Sequence, residues 1–99
     1  MDAFSFYAIL ISLIFNNTHM KKVAIYSTPV CKYCKLAKDY FTANNVAFTE
    51  YNVASDSERR NEMVEKSGQM GVPVIIIDDK DLVVGFNQPV LAQILGLKA

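Results

Sequence analysis

The sequence predicts an α/β fold in the order β-α-β-α-β-β-α, with a central four-stranded mixed sheet flanked by helices. Three observations predict it. Val23 to Tyr26 and Val74-Ile75-Ile76-Ile77 are short, continuous apolar runs, as expected of strands buried on both faces. Between them, apolar residues recur at helical spacing from about Lys32 to Ala43, and a capping-box pattern at Ser55 and Glu58 opens a second helical stretch. The polar turn Asp78-Asp79-Lys80-Asp81 then leads into Leu82-Val83-Val84, which reads as a hairpin. A helix joining the first two strands implies a parallel pair with a right-handed crossover. The hairpin beside that pair makes the sheet mixed.

Each element has its own signal. The first helix is predicted from about Lys32 to Ala43. Cys34, Ala37 and Phe41, with Tyr33, Leu36 and Tyr40 one step round, form its apolar stripe, and Asn44-Asn45 end it. Val46 to Val53 reads as the second strand, with Phe48 alternating against Thr49 and Tyr51 against Asn52. Ser55 is expected to open the second helix, because Glu58 completes a capping-box pattern with it. That helix runs to about Lys66, and Gly68 is a natural left-handed stop. Met63 and Val64 are its expected buried contacts, while Glu58, Arg59, Arg60 and Glu62 are expected in solvent. Asn87 caps the last helix, with Pro89 in its first turn and Val90, Leu91, Ile94 and Leu95 facing inward.

At 99 residues the chain has room for one core. Its 52% hydrophobic and 20% charged residues fit a compact folded protein. Ten basic and ten acidic residues leave no net charge, and there is no basic run of the kind that grips phosphate. Nucleic acid is therefore not the expected partner. Residues 20–99 hold every element, with no repeat, low-complexity tract or linker. Residues 1–19 read as an apolar extension outside the core. Its run from Ala3 to Phe15 is shorter than the ~20 apolar residues of a bilayer span. It also lacks the basic start of a secretory signal, since the second residue is Asp2. A membrane-leaning helix and an uncleaved signal-like segment are alternatives, but Met20-Lys21-Lys22-Val23 opens directly into a strand. An extension upstream of a start at Met20 is the favoured reading. Membrane contact by residues 3–15 is not expected, and the chain is expected to be a cytoplasmic monomer.

The two cysteines, Cys31 and Cys34, carry the chemistry. A disulfide stabilises mainly by closing a long loop in the unfolded chain, so a pair three residues apart is a poor staple. Zinc normally takes four ligands, commonly two such pairs or a pair plus two histidines. Here there is one pair and one histidine, His19, in an unrelated stretch. Redox chemistry is the best reading, and no bound metal is expected within one chain.

Cys31-Lys32-Tyr33-Cys34 follows a buried strand and the turn Ser27-Thr28-Pro29-Val30, and it opens an amphipathic helix. Disulfide exchange needs a thiolate near neutral pH. A helix N-terminus offers unpaired N–H groups and a positive dipole end, both of which stabilise negative charge. Cys31 stands at that terminus and is expected to be the nucleophile. Cys34, one turn in on the apolar stripe, is expected to be the resolving thiol. Lys32 is placed to favour a Cys31 thiolate or to meet an acidic partner, while Lys38 reads as a solvated basic residue. In Gly71-Val72-Pro73-Val74, proline either simply opens the strand or follows a cis bond that exposes the backbone of Val72.

Residues 20–99 resemble the glutaredoxin family. Three blocks stand in that family's order and spacing: Tyr26-Ser27-Thr28-Pro29-Val30-Cys31-Lys32-Tyr33-Cys34, Gly71-Val72-Pro73-Val74 and Val84-Gly85-Phe86-Asn87. The resemblance implies a thioredoxin fold, a cis proline at Pro73, and substrate or glutathione pairing with the Val72 backbone beside Cys31. It places substrate contacts at Lys32, Tyr33, Val72, Pro73, Gly85 and Phe86. The cofactor is then the Cys31–Cys34 disulfide itself, with glutathione or thioredoxin reductase as the source of electrons. Three departures bear on that choice. Many glutaredoxins carry a lysine where Thr28 stands, a proline where Lys32 stands, and a glycine where Phe86 stands. Gly85-Phe86 instead resembles the redoxins that donate electrons to ribonucleotide reductase and are recharged by thioredoxin reductase. Ser67-Gly68-Gln69-Met70-Gly71-Val72-Pro73 is similar to small bacterial members of the family. The expected activity is reduction of protein disulfides. The alternatives are a glutathione-dependent glutaredoxin and a module that holds an iron–sulfur cluster or zinc through Cys31 of two chains.

Overall fold

The computed structural model describes residues 21–97. The extension over residues 1–19, with its apolar run and His19, lies outside them. The described chain forms β1 (Val23–Ser27), α1 (Lys32–Ala43), β2 (Thr49–Asn52), α2 (Ser57–Ser67), β3 (Val74–Ile77), β4 (Asp81–Val84) and α3 (Gln88–Leu95). The sheet order is β2-β1-β3-β4. β1 and β2 run parallel, and β3 is antiparallel to both β1 and β4. The expected mixed sheet and its helices are present.

Side chains alternate between the two faces of a strand, so a run such as Val74 to Ile77 feeds two cores at once. Val23 and Ile25 of β1 and Ile75 and Ile77 of β3 face α1 and α3, where they meet Ala37, Phe41, Leu91 and Leu95. Tyr26, Val74 and Ile76 take the other face and meet Met63 of α2 and Val53. This two-sided burial is why the central strands read as unbroken apolar runs.

Several boundaries differ from expectation, each for a local reason. The second strand begins at Thr49, not Val46. α1 ends in a Schellman motif, in which Asn45 takes a left-handed φ of 57°. The Asn45 N–H donates to Thr42 O at 3.2 Å and the Val46 N–H to Phe41 O at 2.8 Å. Val46 is thus committed to the helix end, and Val46 and Phe48 pack on the core before pairing starts. α2 is capped by Asp56, not Ser55: the Asp56 carboxylate accepts the Arg59 N–H at 3.1 Å. Ser55 belongs to the preceding turn, where its N–H donates to Asn52 O. The helix runs one residue further than expected, to Ser67, and Gly68 stops it at φ 74°. β4 begins one residue early, because Asp81 already pairs with Ile77. In α3, Val90 is exposed while Leu91, Ala92 and Leu95 are buried.

Arg59 and Glu62 are not simply solvated. The Tyr26 hydroxyl donates to Glu62 at 2.6 Å, Arg59 and Lys66 donate to the same carboxylate, and the Arg59 guanidinium lies 4.1 Å from the Tyr51 ring centre. Tyr26 and Tyr51 are paired across β1 and β2, so this cluster fastens α2 to the parallel strands. Burial, then Glu62, pushes the Tyr26 phenol above its ordinary value; the Tyr26 hydrogen bond, first of several donors, holds Glu62 below its own.

Candidate active site

β1 ends at the buried Ser27, and Thr28-Pro29-Val30 turn the chain into α1. The Cys31 N–H donates to Thr28 O at 3.3 Å, closing the turn. Cys31 is the N-cap of α1, in extended conformation, and its Sγ accepts the Cys34 N–H at 3.1 Å. Here a sulfur takes the place that a serine or aspartate oxygen usually fills. A thiolate at this position would gain from the same donor and from the positive end of the helix dipole.

Cys34 lies one turn into the helix with 0% exposure, whereas Cys31 is only partly covered. The two form a disulfide, with Cα atoms 5.2 Å apart. Against Cys31 lies the loop before β3. Its Sγ is 3.9 Å from the carbonyl oxygen of Val72, and the Val72–Pro73 bond is cis, as the resemblance implies. Pro73 is buried, and its carbonyl accepts the Gly85 N–H at 2.8 Å. Gly85 holds φ at 88°, a conformation that a side chain would strain. Three segments far apart in sequence thus meet at one sulfur or at the loop beside it.

Of the other expected substrate contacts, Lys32 and Tyr33 are exposed in the first turn of α1, with Tyr33 at 57%. Phe86 is half-buried, and its ring stands edge-on to Tyr40 with centres 5.8 Å apart. Val30 at 92% exposure and Met70 at 67% add apolar surface on the two segments that flank Cys31. Among the described residues, no group of three or more His, Cys, Asp or Glu side chains is placed to hold a metal ion. No helix among them is long and apolar enough to cross a membrane.

Sequence reasoning missed a polar cluster beneath the first turns of α1. The Ser27 hydroxyl, at 0% exposure, donates to Glu50 at 2.6 Å, and Lys38 donates to the same carboxylate oxygen at 2.8 Å. Lys38, then Ser27, holds the Glu50 carboxyl below its ordinary range. Lys38 is therefore a partner of β2 and not a merely solvated residue. The three side chains come from three elements, and only the parallel register of β1 and β2 unites them.

The sequence model of the Glutaredoxin family matches residues 23–82. An uncharacterized glutaredoxin-like 8.6 kDa protein in the rubredoxin operon of Clostridium pasteurianum is 48% identical over 66 residues, covering 67% of this chain and 87% of its own. Glutaredoxin 3 of Escherichia coli K12 is 37% identical over 59 residues, covering 60% of this chain and 71% of its own. The crystal structure of the thioredoxin-like protein BC3987 superposes with a TM-score of 0.69 at 32% identity, covering 74% of this chain and 99% of that one.

Proposed function

This chain belongs to the glutaredoxin family of thiol–disulfide oxidoreductases, and on that footing we propose that it is a dithiol carrier that reduces protein disulfides through Cys31. The observation that carries the reading is the difference between the two sulfurs. Cys31 is reachable and sits on the helix N-terminus, while Cys34 is sealed behind it. The Cys31 thiolate attacks one sulfur of a substrate disulfide, and the other sulfur leaves as a thiolate and takes up a proton. Cys34 then gives up its proton and attacks Cys31 Sγ. The mixed disulfide breaks, the second substrate thiol departs, and the Cys31–Cys34 disulfide remains. Two electrons have moved to the substrate, and an external reductant must return two electrons, with one proton taken up by Cys34, to restore the thiolate and thiol.

The backbone of Val72 beside Cys31 is the docking edge for an extended substrate. Lys32 and Tyr33 border it from the helix and Gly85 from the turn after β4. The reductant we favour is thioredoxin reductase with NADPH, because Thr28 and Phe86 replace the lysine and glycine of the glutathione-binding pattern. The carrier works as a monomer in the reducing cytoplasm, where a dithiol is kept charged.

Trapping tests the roles of the two thiols. Cys31→Ser is expected to abolish disulfide reduction. Cys34→Ser is expected to attack once and stall as a mixed disulfide, visible as a mass increase equal to the substrate. Equal trapping by both variants would overturn the assignment.

A further inference from the structure

We propose that Gln69 is a positioning residue for the substrate-facing backbone of Val72, and that it acts by clasping the backbone of Gly71. The inference rests on the docking of substrate along Val72 proposed above.

The Gln69 carboxamide reaches both polar groups of a single residue. Its Oε1 accepts the Gly71 N–H at 2.6 Å, and its Nε2 donates to the Gly71 carbonyl at 3.2 Å. The same Nε2 donates to Ser67 Oγ at 3.1 Å, and that hydroxyl donates to Met63 O at 2.7 Å. Met63 is buried in the core. An unbroken chain of hydrogen bonds therefore runs from the last turn of α2 to the loop that carries Val72.

Peptide geometry makes this matter at the active site. The Gly71 carbonyl and the Val72 N–H belong to one planar unit, so holding the carbonyl fixes the direction of that N–H. The other end of Val72 already lies against Cys31, with its carbonyl oxygen 3.9 Å from Sγ. Both polar groups of the proposed docking residue are then set before a substrate arrives, which lowers the ordering cost of pairing. Gly68 and Pro73 are held by backbone hydrogen bonds to Val64 and Gly85, but the stretch between them, Gln69 to Val72, belongs to no helix or strand. Gln69 supplies a side-chain substitute for such pairing, and as a neutral amide it adds no charge near a Cys31 thiolate.

Gly71 fits the same purpose. A Cβ at this position would come within 2.8 Å of Gln69 Oε1 and within 4 Å of no other group outside the Gln69 side chain. The carboxamide is the end of a flexible side chain and would swing away, so Gly71→Ala breaks the clasp while leaving the core untouched. Neither residue touches the reacting sulfurs.

The test uses the full chain, an oxidised peptide with one disulfide as substrate, and the variants Gln69→Ala, Gly71→Ala and their double. Gln69→Ala is expected to raise KM for the peptide roughly three- to tenfold, the equivalent of about one hydrogen bond, with kcat held within about twofold. Alkylation of reduced Cys31 by iodoacetamide, which needs no docking, is expected to be unchanged. Gly71→Ala is expected to give the same KM rise, and the double variant no more than either single, because both remove one interaction. Amide hydrogen exchange at Gly71 is expected to quicken in every variant. An unchanged KM in Gln69→Ala, with or without faster exchange, would overturn the proposal, as would penalties that add in the double variant. A parent protein inactive on the peptide would instead sink the carrier reading, and exchange at Gly71 and Val72 would then decide the clasp: unchanged rates in Gln69→Ala would overturn it.

Discussion

At the level of single residues, what separates Cys31 from Cys34 is one helical turn. The first sulfur caps the helix and receives an N–H; the second lies inside the packed stripe with Ala37 and Phe41. The proposed electron source rests on two residues of the glutathione-binding pattern. Thr28 offers no charge where a glutathione carboxylate would sit, and loss of a charge-assisted hydrogen bond costs about 1.5–3 kcal/mol, enough for an order of magnitude in affinity or more. Phe86 stands its ring edge-on to Tyr40, at a position where the glutathione-binding pattern has a bare glycine. NADPH with thioredoxin reductase is therefore expected to recycle the oxidised protein faster than glutathione with glutathione reductase. Side-by-side NADPH consumption on one disulfide substrate measures this; faster turnover with glutathione would make the protein an ordinary glutaredoxin.

At the level of elements, the helices and strands were legible and their ends were less so. The capping box beginning at Ser55 and the N-cap at Asp56 differ by one residue, and both offer an oxygen to the first turn. Both the Ser55 and the Asp56 N–H donate to Asn52 O, so what separates them is that Asp56 takes the extended backbone of an N-cap and turns its carboxylate onto the Arg59 N–H. Asp56→Ala is accordingly expected to cost about 1 kcal/mol, and Ser55→Ala only a few tenths. Urea midpoints of the two variants check this, and a larger loss from Ser55→Ala would restore the capping box. The end of α1 follows the same logic. Apolar Val46 and Phe48 read as strand, yet Val46 closes the Schellman motif, and its packing on the core does not require sheet pairing. Asn45 holds φ at 57°, so Asn45→Ala is expected to destabilise by roughly 1 kcal/mol, since alanine tolerates that region less well. A shift of the urea midpoint with an unchanged slope would show it.

At the level of the molecule, two carboxylates tie the layers together. Glu62 joins α2 to β1 through Tyr26, and Glu50 joins β2 to α1 through Lys38 and to β1 through Ser27. Both are held below the ordinary value of 4.5, Glu62 chiefly by the Tyr26 hydroxyl and Glu50 chiefly by Lys38. A carboxyl lowered on folding contributes stability that is complete above its unfolded pKa and is lost as pH falls through the folded one. Stability is thus expected to decline on the acid side, as pH falls below about 4.5. Glu62→Gln and Glu50→Gln should each be less stable near neutrality and flatten that decline. Thermal melts across the range measure it; an acid limb as steep in both variants as in the parent would remove these carboxylates from the account.

The amino-acid order by itself determined the α/β class, the two-faced central strands, the hairpin and the dithiol at a helix start, because each is written in neighbouring residues or a short period. Val74 to Ile77 is the strongest strand signal in the chain, and Cys31 stands at the opening of the stripe that Cys34, Ala37 and Phe41 define. The tertiary structure decided what depends on register and on groups distant in the chain. Ser27, Glu50 and Lys38 form one cluster only when β1 and β2 align in parallel, and Tyr26 finds Glu62 only when α2 crosses the sheet. The approach of Val72 to Cys31, 41 residues apart, belongs to the same class. So does the clasp of Gln69 on Gly71, although its residues are neighbours, because a turn's hydrogen bonds depend on how α2 delivers the chain to it. Local pattern reports local energy; these contacts arise from the closing of the fold around them.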